Sequence, residues 1–123
     1  MSNLKNIEPQ RVFYYFEEIS KIPRCSNNEK KISDYIKRVG EKLGLEAIQD
    51  EHLNVIIRKP ATKGYENSEG VIIQSHMDMV CEKDDNVKHD FSKDPIELII
   101  DGDYIRANGT TLGADNGIAV AMA

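Results

Sequence analysis

The chain has no tryptophan, two cysteines, four prolines and no apolar run that approaches a membrane span. Each shortage excludes something. Crossing a bilayer as a helix takes about 20 consecutive apolar residues, and the N-terminal MSNLKNIEPQRVFYYFEE is too broken by charge to hold a signal-peptide core. Cys25 and Cys81 stand far apart without a Cys-x-x-Cys pair, which reads as neither a disulfide framework nor a zinc finger. Free thiols in a reducing cytoplasm are the simplest expectation. Positive charge is also scarce: 16 Lys and Arg against 21 Asp and Glu leave a net charge of −5. That balance argues against nucleic acid and against an anionic membrane surface, both of which are held by basic patches.

What remains is ordinary globular material, 40% hydrophobic and 30% charged, over 123 residues, enough for about one domain. Val12, Phe13, Phe16 and Ile19 fall on one face of a helix from Pro9 to about Lys21, which Pro23 stops. Ser26-Asn27-Asn28-Glu29 has the form of a capping box. The helix that follows carries Ile32, Tyr35, Ile36, Val39 and Leu43 on its apolar face, with Gly44 just past its end. Leu45–Gln49 and Asn54–Arg58 read as a hairpin around Asp50-Glu51-His52. Gly70–Ser75, with Val71-Ile72-Ile73 at its centre, has the look of a short central strand covered on both faces. Residues 81–95 are charged and irregular, and Ile96–Ile100 with Tyr104–Ala107 form a second hairpin candidate through Asp101-Gly102. A glycine-rich loop, 108–117, leads into an apolar helix on which the sequence stops without a cap, so the chain is expected to be the front part of something longer.

Two short stretches could carry chemistry. In QSHMDMV, His76 and Asp78 are two apart, so on extended backbone they share a face while Met77 and Met79 turn to the core. Both could bind one metal. Alternatively His76 could bind it while Asp78 holds the other ring nitrogen, fixing tautomer and basicity. Taken alone, the spacing is a weak signal and fits a capped strand end with a surface histidine better. In LGADNG, Gly113 and Gly117 let the backbone turn tightly around Asp115, although Asp and Asn before a helix are also ordinary caps. A phosphate cradle is not indicated, because no Gly-Lys-Ser/Thr follows. Together the stretches say more. A carboxylate in a glycine-lined turn can bridge two ions, as two-metal hydrolases require, and His with carboxylate suits zinc, cobalt or manganese. His52, His89, Glu82, Asp84 and Asp85 read as solvated, Cys81 as a small thiol rather than a zinc ligand, and Tyr14 and Tyr15 as packing.

SHMDMVCEK at 75–83, NGTTLGADNGIAVAMA at 108–123 and IPRCSNNEKKISDYI at 22–36 resemble the aminoacyl-histidine (Xaa-His) dipeptidases. These belong to the glutamate-carboxypeptidase-like superfamily of di-zinc peptidases. The resemblance covers nearly the whole chain and implies an α/β fold, a mixed sheet flanked by helices, with residues 1–123 as the N-terminal portion of the catalytic domain. It implies His76 as a zinc ligand, Asp115 as the carboxylate bridging two zincs, and Asp78 as the aspartate that orients His76. It further implies hydrolysis of dipeptides with C-terminal histidine, such as β-alanyl-histidine, and a homodimer at full length. The family's Glu-Glu pair, which supplies the general base, a further carboxylate ligand and a distal histidine have no counterpart before Ala123. The chain alone is therefore expected to be inactive. The rival readings are an aminoacylase or tripeptidase on the same site, or a non-catalytic fragment that binds metal or a partner.

Overall fold

The computed structural model describes residues 4–123. The elements run in the order α1 (Gln10–Ser20), α2 (Lys30–Lys42), β1 (Glu46–Gln49), β2 (Val55–Arg58), β3 (Leu98–Asp101), β4 (Tyr104–Ala107) and α3 (Ala114–Met122). The strands pair as two antiparallel hairpins, β1 with β2 and β3 with β4. Glu46 faces Arg58 at the open end of the first, and Asp101 faces Tyr104 at the turn of the second. Each hairpin stands where short, largely apolar segments flank a polar turn. In the first turn, Asp50 accepts hydrogen bonds from the backbone N–H of His52 and Asn54, which closes it.

The core gathers Leu4, Phe16, Ile19, Ile32, Leu98 and Ala121. Phe16 and Ile19 come from the predicted face of α1, and Val12 and Phe13 lie partly buried beside them. The α1 helix packs against α3, while α2 packs against the first hairpin. Two buried hydroxyls are satisfied locally, as burial requires: Ser20 donates to the Phe16 carbonyl and Ser33 to that of Leu53.

Three expectations need correction. Ser26 and Glu29 do not form a capping box; α2 starts at Lys30 with no side-chain cap, and Glu29 accepts from the Asn27 N–H instead. The Ser26 hydroxyl instead donates to the Asp78 carboxylate, a charge-assisted hydrogen bond. Leu43 ends α2 more than half exposed rather than on the buried face. Residues 71–73 are not in a strand: Val71, Ile72 and Ile73 are 86%, 92% and 69% exposed. A central strand exists only where neighbours take its N–H and C=O groups, and no described strand flanks this one.

The cysteines are also paired, not free. Cys25 and Cys81 form a disulfide across 56 positions. The backbone sets it up, because Cys25 bridges Met79 in parallel and so lies beside the segment that carries Cys81. No helix among the described residues is long and apolar enough to cross a membrane.

Candidate functional site: a histidine between two carboxylates

Residues 79–82, just past His76 and Asp78, are pinned from both sides. On one side, the Met79 N–H donates to the Arg24 carbonyl at 2.9 Å, and the Ser26 N–H donates to the Met79 carbonyl at 3.1 Å. On the other, the Thr111 hydroxyl donates to the Val80 carbonyl at 2.7 Å, and the Thr111 N–H donates to that of Glu82. Met79 is buried and Met77 packs against the core, as alternation requires. His76 and Asp78 are therefore turned outward, toward the loop that carries Asp115.

There they meet. His76 Nδ1 lies 3.1 Å from the Asp78 carbonyl oxygen and 3.2 Å from Asp78 Oδ1, and His76 Nε2 lies 3.0 Å from Asp115 Oδ1. The other oxygen of Asp78, Oδ2, accepts the Ser26 hydroxyl at 2.5 Å. Asp115 precedes the regular part of α3: it and Asn116 have non-helical dihedrals, and the peptide bond between them is cis. Its side chain is 95% exposed, against 52% for His76 and 32% for Asp78.

The electrostatics follow from these contacts. The Asp115 carboxylate raises the His76 pKa, with smaller contributions from Asp78 and some opposition from desolvation. The Ser26 hydroxyl, and then the His76 charge, hold Asp78 below the usual carboxylate value. Burial lowers the pKa of Arg24, a shift opposed by the nearby Asp78 charge; a guanidinium stays charged regardless.

Both ring nitrogens of His76 face acceptors. A neutral imidazole has one N–H, and Asp78 engages Nδ1, so Nε2 opposite Asp115 calls for a second proton or a cation. That is the donor set a divalent metal uses: a histidine held by a carboxylate on its far nitrogen, beside a second carboxylate. Two ligands of one tetrahedral ion lie roughly 3.4 Å apart, so the 3.0 Å separation needs only a small opening to hold one. Two donors do not complete a site, however, and among the described residues no three His, Cys, Asp or Glu side chains gather as ligands.

Other candidates fall away. His52 is exposed beside Glu51. Glu82, Asp84 and Asp85 are exposed, as expected. His89 is half-buried rather than solvated, edge-on to Phe91 at 4.5 Å. Tyr14 and Tyr15 pack edge to face. Sequence reading missed Ser26, hidden in what resembled a helix cap, and Arg24, whose burial only the tertiary structure reveals.

Comparison with known proteins places the chain beside two dipeptidases. No family model matches the chain. It is 45% identical, over all 123 residues, to the cytosol non-specific dipeptidase of Escherichia coli, of which it covers 25%. Its structure superimposes on the crystal structure of aminoacylhistidine dipeptidase from Vibrio alginolyticus with a TM-score of 0.93 and 42% identity, covering 98% of this chain and 24% of that one. The chain spans about a quarter of the length of these relatives. The expected α/β class holds, and the resemblance seen in 22–36, 75–83 and 108–123 is borne out to this extent: the chain is similar in sequence over its whole length to the one dipeptidase, and in fold over 98% of its length to the other.

Proposed function

We propose that the chain is the N-terminal portion of a metallopeptidase catalytic domain and contributes two ligands and an orienting carboxylate to a dipeptidase site. The observation that carries this reading is His76 set between two carboxylates, with Nε2 in need of a positive partner. His76 and Asp115 would hold the metal. Asp78, itself fixed by Ser26, holds the imidazole so that Nε2 points outward. Zinc is the ion best suited to these donors, with cobalt or manganese as substitutes, and Asp115, exposed on its outer side, is free to reach a second ion. Bound metal supplies Lewis acidity toward the peptide carbonyl and lowers the pKa of a coordinated water. The chain's own contribution is to position that charge: the backbone clamps on residues 79–82 and the Ser26–Asp78 hydrogen bond restrict the imidazole's orientation at the moment of reaction.

Substrates in this reading are dipeptides, with Xaa-His such as β-alanyl-histidine the preferred class. The full-length protein is a homodimer, and it works in the cytosol, as the name of the Escherichia coli relative says of that protein. Among the described residues no three His, Cys, Asp or Glu side chains gather as a metal site, so residues 1–123 alone do not turn over substrate. Purified chain, with zinc added, is expected to leave β-alanyl-histidine and Leu-Gly intact, while in the full-length protein His76→Ala and Asp115→Ala abolish chelator-sensitive hydrolysis. Zinc-dependent hydrolysis by the isolated chain would refute the division of labour. Full activity of the full-length variants would refute the ligand assignment.

A further inference from the structure

The two halves of the site come from segments 39 residues apart. One buried side chain joins them. Arg24 is 1% exposed, the largest of the fully buried side chains. Its Nη1 donates to the Met77 carbonyl at 3.1 Å, and its Nη2 donates to the Gly113 carbonyl at 2.8 Å. Met77 directly follows His76, and Gly113 stands two residues before Asp115. A guanidinium is a rigid planar fork, so its two N–H groups hold these carbonyls at a set separation. The Arg24 main chain adds a third link through its carbonyl to the Met79 N–H.

The glycines of LGADNG fit this side chain. A Cβ on Gly113 would sit 2.5 Å from Arg24 Nη2, and one on Gly117 would sit 2.8 Å from it. Gly113 also has φ +73 and so suits glycine for its backbone, but Gly117 has no positive φ; its missing side chain serves clearance. The Gly113 carbonyl accepts from the Gly117 N–H as well, at 3.1 Å, so Arg24 is tied into the first turn of the helix behind Asp115.

We propose that Arg24 is a positioning residue that sets the His76–Asp115 separation by gripping the two backbone segments that carry them, and that Gly117 is glycine to make room for it. The inference rests on the metal-site reading for its consequence, but the strut itself is independent of metal. Removing it frees the two segments to drift, and displaced supports of metal ligands typically weaken affinity roughly 10–100-fold.

The test uses the full-length protein, in which the remaining ligands would be present, with Arg24→Lys, which keeps the charge and loses the fork, and Gly117→Ala, which keeps Arg24 and crowds its seat. Ser33→Ala removes a buried hydrogen bond elsewhere and serves as the structural control. Two readouts are taken: the His76 imidazole ¹⁵N resonances in chelator-treated protein, and the affinity for Co²⁺ from its visible absorption. The expected result is shifted His76 resonances and at least tenfold weaker Co²⁺ binding in both site variants, with neither change in Ser33→Ala. Full-length wild-type protein that takes up no Co²⁺ would count against the metal reading, while the imidazole resonances still judge Arg24. Unchanged resonances in both site variants overturn the positioning role, and so does loss of the folded spectrum in both, which would make Arg24 a plain stability group.

Discussion

Gly113→Ala offers the sharpest measure of how tightly the site is built. Two costs act on the folded state. Alanine at φ +73 sits in the left-handed region, which costs an L-residue roughly 1–2 kcal/mol. Its Cβ would also come 2.5 Å from Arg24 Nη2 and 2.7 Å from Met79 Sδ. Neither neighbour can swing away, because Arg24 is held at both Nη atoms and Met79 is 3% exposed. Overpacking of this kind costs about 1–3 kcal/mol. Gly64→Ala isolates the first cost: its φ is +93, and nothing lies within 4 Å of the added Cβ. The gain from stiffening the unfolded chain is common to both and cancels. Gly113→Ala is therefore expected to destabilise by about 2 kcal/mol more than Gly64→Ala. Urea unfolding followed by far-ultraviolet circular dichroism measures the difference, provided the transition slopes agree. Equal losses in the two variants would mean that Arg24 and Met79 yield freely, and the argument for a rigid seat would fail.

Further outcomes follow from the same structure. The Cys25–Cys81 disulfide closes a loop of 56 residues' separation; on loop entropy its reduction should lower stability by up to about 4 kcal/mol, read as a shift in urea midpoint with dithiothreitol. In metal-free chain, His76 titrates above 6.5, chiefly because of Asp115. That contribution to stability is full below about 6.5 and is lost as pH rises through the folded value. Asp115→Asn should move the NMR titration of His76 back down, and an unmoved titration would contradict the 3.0 Å contact. Burial raises the Tyr35 pKa to about 12, so its stabilisation is intact below about 10 and disappears as pH climbs through 12. Tyr35→Phe should flatten that alkaline loss in a pH series of urea midpoints; an unchanged alkaline slope would contradict it.

The sequence by itself determined the elements whose causes are local. The 3.6-residue spacing of Phe16 and Ile19, the polar turns at Asp50 and Asp101-Gly102, and Gly44 past α2, at φ +74, all act within a few residues. Period-two alternation likewise sufficed to turn Met79 inward and His76 with Asp78 outward. Only the tertiary structure decided what depends on segments meeting from a distance. It spent the Ser26 hydroxyl on Asp78 rather than on a helix start, and it joined two cysteines that look unrelated along the chain. It left Val71-Ile72-Ile73 without strand partners, although their composition is that of a strand. It also buried an arginine, which a composition rule places at the surface, because two backbone carbonyls and two glycines were brought around it. Residue type and spacing govern which conformations a short segment prefers. Which carbonyl, carboxylate or sulfur a side chain finally meets is governed by chain closure over tens of residues, and there one sequence leaves several partners open until the fold selects among them.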